Sequence, residues 1–205
     1  MSRYLNARLR VVRRLGLLPG LTRKITTRNR YPGEHDKKPG SNSDYGIRLE
    51  EKQKLRFNYG ITESQLYNYV KDARRQSGSS GVLLLQMVEM RLDNVLFRLG
   101  VGPTIPACRQ LISHAHIEVN GNKVNIPSFQ CKKGDTIAVR TKSIDVKTNK
   151  NNWNSVPLST DLVGLPKFLE INSGDCTGRI KFIVGREEVG LKINELLIIE
   201  YYSRK

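Results

Sequence analysis

Apolar positions along the chain fall into blocks of helical or alternating period, separated by glycine, proline and asparagine. Around Ile47–Tyr59, Leu49, Lys52, Leu55 and Arg56 alternate apolar and basic faces, which predicts a helix that Gly60 ends. Thr62, with Gln65 three residues on, is a capping-box signature for a second helix. In it Leu66, Tyr69, Val70 and Ala73 recur at helical spacing until Ser77-Gly78-Ser79-Ser80-Gly81 breaks the pattern. A third helical stretch runs from Val82 to about Leu99, with Leu84, Val88, Leu92, Val95 and Leu99 on one stripe and Gly100 and Gly102 as the stop. Thr104 is placed to cap a short further helix, since Pro106 loses no hydrogen bond in a first turn; Cys108, Leu111 and Ile112 then face inward.

Strand signals follow. Ile117 and Val119, then Asn120-Gly121, then Val124 and Ile126 read as a hairpin, because Asn-Gly supplies the positive φ angles of a type I′ turn. Thr136–Arg140, after Gly134-Asp135, predicts a third strand, and Phe168–Ile171 and Arg179–Val184 alternate enough for two more. The run Leu196–Ile199 suits either a buried strand or a helix, with Asn194 available as a cap. Residues 141–160, rich in Lys, Asn, Ser and Thr with Trp153 the only aromatic, read as a connection. Residues 1–45 read as a basic arm: Arg8, Arg10, Arg13 and Arg14 share a predicted short helix, and Pro32-Gly33 and Pro39-Gly40 are turn signals. The arm lacks apolar residues to bury and is expected to be ordered by a partner.

Charge narrows the choice of partner. The 205 residues, enough for two small domains, carry 35 Lys and Arg against 19 Asp and Glu, a net +16. The excess is +10 over residues 1–60, +6 over 61–150 and zero over 151–205. Such a chain repels itself unless an anionic partner, nucleic acid or an acidic membrane surface, neutralises it. The longest strictly aliphatic runs, Val82–Leu85 and Leu196–Ile199, are far short of the roughly 20 residues that span a bilayer, so no transmembrane helix is expected. Residues 1–33 hold nine basic and no acidic side chains, a bias shared with transit peptides, but Leu18-Pro19-Gly20 and the lack of a clear cleavage signal speak against a removable presequence.

Little in the sequence suggests catalysis. Cys108, Cys131 and Cys176 are widely spaced, with no C-x-x-C pair and no histidine set at ligand spacing, so reduced thiols and no structural metal or cofactor are expected. No G-x-S-x-G, H-E-x-x-H, phosphate-cradling loop or dinucleotide fingerprint occurs. His114 and His116, two apart, read as an RNA contact or solvated surface before a metal pair. The informative stretch is Met90–Val139: Arg91 and Arg98, seven apart, are expected on one helix face, Arg109 on the next helix, and Lys123, Lys132 and Lys133 beyond. Those groups would face a phosphate backbone, unless an arginine is taken up in a salt bridge such as Arg91 with Asp93 or Glu89.

These residues also carry a resemblance. Met90-Arg91-Leu92-Asp93-Asn94, Phe97-Arg98-Leu99-Gly100, Ala107-Cys108-Arg109-Gln110-Leu111-Ile112-Ser113-His114 and His116-Ile117-Glu118-Val119-Asn120-Gly121 resemble the S4 RNA-binding domain. Outside it, Met1-Ser2-Arg3-Tyr4, Ser43-Asp44-Tyr45-Gly46, Leu49-Glu50-Glu51-Lys52-Gln53-Lys54-Leu55-Arg56 and Ile193-Asn194-Glu195-Leu196 are similar to the small-subunit ribosomal protein uS4 family. Arg14-Leu15-Gly16, Leu18-Pro19-Gly20-Leu21-Thr22 and Glu200-Tyr201-Tyr202-Ser203-Arg204 look like its plastid forms, and the likeness weakens over about 141–185.

The resemblance implies an α+β fold: a basic arm at 1–45, a helical body at 46–89 completed by a C-terminal helix within 190–205, and an inserted RNA-binding domain at 90–189 with its motif at 90–140. It decides Leu196–Ile199 in favour of helix. It implies binding to the 5′ domain of small-subunit rRNA at a multi-helix junction, a role in translational accuracy, contact with ribosomal protein uS5, proximity to mRNA where it enters the subunit, and residence in the chloroplast stroma. Carried over by position, Arg91, Arg98, Arg109, Gln110 and His114 would contact rRNA. Arg3, Arg8, Arg10, Arg13 and Arg14 of the arm, Lys52, Lys54 and Arg56 of the body and Lys123 of the hairpin complete the expected rRNA-facing set. Lys37 and Lys38 would lie on the mRNA path. Unlike relatives with N-terminal zinc cysteines, this chain has none before Cys108.

Two other classes are set against this reading. An RNA-modifying enzyme is suggested by Arg91-Leu92-Asp93, which superficially resembles the pseudouridine synthase tripeptide, but too few residues follow it for a catalytic domain. A free regulatory S4-domain RNA binder is the other; such proteins are usually shorter and lack the N-terminal body.

Overall fold

The structure is a computed structural model that describes residues 4, 6–27, 32–33, 43–140, 165–172 and 177–203. The α+β expectation holds: the described residues form seven α-helices and one five-stranded antiparallel sheet. The chain divides into two compact units, Met1–Leu85 with Leu191–Lys205, and Gln86–Gly190.

In the first unit, α1 (Arg8–Leu15) buries Val11, Val12 and Leu15, and Leu18 and Leu21 after it are buried too. This corrects the expectation of an arm with nothing to bury. The segment is pinned to the body by the Gly20 N–H, which donates to Asn58 Oδ1 at 3.0 Å in a buried bond, and is folded on itself by Arg8 Nη1, which donates to the Leu21 carbonyl at 3.2 Å. Helix α2 (Asp44–Tyr59) starts three residues before the predicted position, because Ser43 caps it by accepting the Gly46 N–H at 3.2 Å. Gly60, at φ 59°, ends it. Helix α3 (Glu63–Arg75) opens with the predicted capping box: Thr62 Oγ1 accepts the Gln65 N–H and Gln65 Oε1 accepts the Thr62 N–H, at 3.3 and 3.2 Å. Helix α7 (Glu195–Ser203) settles the aliphatic run as helix; Asn194 Oδ1 accepts the Leu196 N–H at 3.1 Å, while Ile198 and Tyr202 are buried. It packs on α2, where Arg48 pairs with Glu200 at 2.8 Å and the Asn194 N–H donates to Glu51 at 2.9 Å.

The single helix expected over 82–99 is two: α4 (Ser80–Glu89) and α5 (Leu92–Arg98). Between them the backbone turns to a neighbouring strand-like segment. The Leu92 and Asp93 N–H groups donate to the Phe129 and Pro127 carbonyls at 2.9 and 3.2 Å, the Cys131 N–H donates to the Met90 carbonyl at 2.9 Å, and Arg91 forms a β-bridge with Gln130. All five stripe residues are nonetheless buried.

In the second unit, α6 (Ile105–Ser113) is capped by Thr104 with proline in its first turn, as expected, and packs on α5. The sheet has order β2-β1-β3-β5-β4, from β1 (Ile117–Val119), β2 (Asn122–Lys123), β3 (Thr136–Val139), β4 (Leu169–Asn172) and β5 (Thr177–Ile180). Asn120 at φ 51° and Gly121 at φ 77° make the two-residue turn between Val119 and its partner Asn122. Ile117, Val119, Ile137, Leu169 and Ile180 are buried. A Cβ at Gly178, paired with Ile137, would sit 2.6 Å from Cδ1 of the buried Leu99 and force that side chain to shift. Two strand readings were too long. The second hairpin strand stops at Lys123, leaving Ile126 exposed, and β5 stops at Ile180, leaving Phe182 and Ile183 exposed. The connection at 141–160 with Trp153, and Cys176, lie outside the described residues.

Candidate nucleic-acid interface

The charged residues of the S4-like segment are arranged around two buried carboxylates. Asp93, in the first turn of α5, accepts a two-pronged contact from Arg91, Nε to Oδ1 at 3.0 Å and Nη2 to Oδ2 at 2.9 Å. Oδ2 also accepts from Arg109 Nε at 2.7 Å, and Oδ1 accepts the Asn94 N–H at 2.9 Å. Glu89, at the end of α4, accepts from Arg98 Nη2 at 2.9 Å and from the Asn94 side-chain amide, which also donates to the Glu89 carbonyl at 2.9 Å. Bidentate, charge-assisted contacts of this kind fix geometry as well as charge, and the further bonds to backbone and amide are what make burial of the carboxylates tolerable.

This arrangement corrects the expected basic helix face. Arg91 precedes α5 instead of lying on it, and its side chain is 2% exposed; that of Arg98 is 7% exposed. The salt-bridge alternative, Arg91 with Asp93, describes the structure. Arg109 differs: Asp93 holds its Nε, while the side chain stays 22% exposed. Asp93, with both oxygens engaged and 1% exposed, is not disposed as a nucleophile.

Gln110 and His114 are exposed at the last turn and C-cap of α6, and Lys123, Lys132 and Lys133 are exposed around the hairpin. The His114 and His116 rings are parallel within 3° at 6.0 Å, and His116 Nδ1 is buried with no hydrogen-bond partner among the described residues. No group of three His, Cys, Asp or Glu side chains among the described residues is placed to hold a metal ion. No helix among them is long and apolar enough to cross a membrane.

In the first unit Arg8, Arg10 and Arg14 are exposed and Arg13 is half-buried. The three body residues face inward to partners. Lys52 is buried, donates to both Glu63 oxygens at 3.0 Å and lies 4.5 Å over the Tyr201 ring; Arg56 reaches Glu63 at 3.9 Å; Lys54 pairs with Glu50 and Glu51 at 3.2 and 2.7 Å. Burial opposes the charged form of Glu63, but hydrogen bonds from Tyr202 and Lys52 outweigh it and hold the carboxyl below its usual range. Burial and the bond to Glu63 push the Tyr202 hydroxyl up, and the two glutamates raise Lys54 against its own burial. Arg3, Lys37 and Lys38 lie outside the described residues.

Sequence reasoning weighed a pair of Arg91 with Asp93 or Glu89 but missed that Arg109 joins Asp93 and that Glu89 takes Arg98 and Asn94. The available signal was two acids four residues apart inside an apolar stripe, flanked by arginines, since charges almost never stay buried unpaired.

The α5–α6 pair beside a small antiparallel sheet, with Asp93 and Glu89 buried against Arg91 and Arg98 and Arg109 partly open to solvent, defines an S4-domain protein. A family model described as S4 domain matches residues 90–137, and one described as ribosomal protein S4/S9 N-terminal domain matches residues 3–89. Among curated relatives, small ribosomal subunit protein uS4c of Rhodomonas salina is 56% identical over 205 residues and uS4 of Thermosynechococcus vestitus 54% over 208, each match covering both chains in full. The uS4c protein of Guillardia theta is 55% identical over the same full extent. The chain belongs to the ribosomal protein uS4 family, of plastid type, a structural and non-enzymatic family.

Proposed function

We propose that this chain is a structural constituent of the plastid small ribosomal subunit that binds the 5′ domain of its rRNA and holds a multi-helix junction together during assembly. The observation that carries the reading is the segregation of charge in the S4 segment: Glu89 and Asp93 are consumed inside, while Arg109, Gln110, His114 and Lys123 reach solvent on a chain of net charge +16. Residues 90–189 and the basic segment 1–45 supply the rRNA surface, with Arg8, Arg10, Arg13 and Arg14 contacting phosphates. Arg91, Arg98, Lys52, Lys54 and Arg56 support that surface from within. Lys37 and Lys38, and a contact with ribosomal protein uS5, belong to the side where mRNA enters, through which the protein contributes to translational accuracy. The compartment is the chloroplast stroma.

The mechanism is charge neutralisation with no chemical step. Phosphate contacts give affinity and register, and the rigid scaffold beneath selects the junction geometry that satisfies all of them. The test compares the purified protein on plastid rRNA 5′ domain and on a scrambled structured RNA of equal length, each across a salt series. Much tighter binding to the 5′ domain, surviving near about 200 mM salt, is expected. Equal, steeply salt-sensitive binding to both RNAs overturns junction recognition, because charge alone then explains the affinity.

A further inference from the structure

Asn120-Gly121 is the only Asn-Gly pair in the chain, and it forms the exposed two-residue turn between β1 and β2. Asparagine is thermolabile, and a glycine after it offers the least protection, because no side chain shields the main-chain nitrogen that attacks the asparagine amide. A Cβ built at Gly121 would meet nothing within 4 Å, so the tip is open to the water that the reaction consumes.

The amide at risk is held at both ends. Asn120 Oδ1 accepts the Thr136 N–H at 2.9 Å and Nδ2 donates to Asp135 Oδ1 at 2.9 Å, while the Asn120 N–H donates to the Thr136 carbonyl at 2.8 Å. Asp135 is itself fixed: its other carboxylate oxygen accepts the Lys132 N–H at 2.7 Å, and its carbonyl accepts the Ile180 N–H at 3.1 Å. Attack on Asn120 Cγ makes that carbon tetrahedral and swings Oδ1 and Nδ2 out of the amide plane, away from both partners. The turn therefore has to open before the reaction runs.

We propose that Asn120 is a latent deamidation site gated by Asp135, and that its conversion turns the bond between the hairpin and the Lys132–Asp135 turn into a repulsion. In the step, the Gly121 main-chain nitrogen gives up its proton and bonds to Asn120 Cγ, the Cγ–Nδ2 bond breaks, and Nδ2 leaves as ammonia with that proton. Water then opens the cyclic imide. Cleavage at Cγ leaves aspartate at position 120; cleavage at the main-chain carbonyl carbon leaves isoaspartate, with one extra atom in the backbone. Aspartate puts a carboxylate oxygen where Nδ2 donated, so two like charges face each other across a contact of 2.9 Å. Isoaspartate lengthens the turn that sets Val119 opposite Asn122. Either product loosens this edge of the sheet, so the modification records how long the tip has stood open. The inference stands independently of the RNA-binding reading.

In the test, the full chain is incubated at mildly alkaline pH, folded and in parallel in denaturing urea, and the peptide spanning Asn120 is followed by mass spectrometry. Folded wild type is expected to lose the amide about 10-fold or more slowly than the denatured chain. Asp135→Ala that keeps the far-ultraviolet circular dichroism of wild type is expected to speed the folded rate about 3- to 10-fold and to leave the denatured rate unchanged. Equal folded and denatured rates in wild type overturn the gate, and an unchanged folded rate in Asp135→Ala overturns its assignment to Asp135. A second readout does not depend on how Asp135→Ala folds. Asn120→Asp carries the charge of the product and is expected to lower the melting temperature by about 2–4 °C. Asp135→Asn in that background is expected to recover most of the loss, because the amide donor then comes from the other side of the contact, and to give no gain on wild type. No loss in Asn120→Asp, or a loss that Asp135→Asn does not recover, overturns the repulsion.

Discussion

Replacing Asp93 by alanine removes one carboxylate that serves three donors: Arg91 at 2.9 and 3.0 Å, Arg109 at 2.7 Å and the Asn94 N–H at 2.9 Å. Arg109, 22% exposed, can turn to water; Arg91, 2% exposed, cannot, and its buried guanidinium loses the carboxylate that holds it at two atoms. Breaking a buried pair from one side costs about 3–5 kcal/mol. Against a total stability of about 5–15 kcal/mol that is a large fraction. With a urea dependence of about 2 kcal/mol per molar, a loss of about 4 kcal/mol moves the denaturation midpoint down by about 2 M. Urea titration followed by far-ultraviolet circular dichroism reads the shift. The apolar double variant Arg91→Met with Asp93→Leu is expected to recover most of it, because no charge is then stranded. Arg91→Gln is expected to leave the salt slope of rRNA binding unchanged. A midpoint shift below about 0.5 M for Asp93→Ala, together with a slope lowered by about 0.7–0.9 for Arg91→Gln, would refute the internal role of this pair.

Glu63 is held below its usual range, so it contributes stability that is complete above its ordinary value of 4.5 and is lost as pH falls through its folded value. Thermal melts on lowering pH are expected to show this loss in wild type and a smaller one in Glu63→Gln. Gly178→Ala drives a methyl to 2.6 Å from Leu99 Cδ1 and is expected to cost about 1–3 kcal/mol. Gly185→Ala, with nothing within 4 Å of the new Cβ, is the near-neutral control in the same melt. Cys131 is buried and its thiol is pushed up to about 12 by burial and by the Asp135 and Asp93 charges. It is expected to resist alkylation at neutral pH until the protein is denatured, and rapid native labelling of the Cys131 peptide in mass spectra would contradict this.

What the sequence made legible was mostly local. The Thr62/Gln65 capping box, the Thr104 cap with Pro106 and the Asn120-Gly121 turn each depend on residues one to three apart, and each is present as read. The α4–α5 break was not legible, because no glycine or proline marks it and the apolar stripe continues across it. It is imposed by backbone bonds from residues 127–131, a tertiary contact that outweighs helical period. The ion pairs were partly legible: Arg91–Asp93 is local, whereas Arg109 reaches Asp93 from sixteen residues away. Leu196–Ile199 needed the family resemblance, since four consecutive aliphatic residues suit either element. The burial of Val11, Val12 and Leu15 was overlooked because the interleaved arginines dominate the composition there.

The packing of α7 on α2 has a consequence for how the protein is made. Arg48 and Glu200 are 152 residues apart in the chain, and Tyr202, whose hydroxyl donates to Glu63 at 2.7 Å, is separated from it by 139. During synthesis α2 and α3 leave the peptide exit tunnel long before their partner helix exists, so Lys52 and Glu63 must wait without the aromatic cover that Tyr201 and Tyr202 later provide. Residues 86–190, by contrast, are contiguous and carry their own contacts. The nascent chain is therefore expected to close its contiguous unit first and its earliest-made unit second, an order in which a basic, half-finished body depends on a chaperone or on RNA to stay soluble.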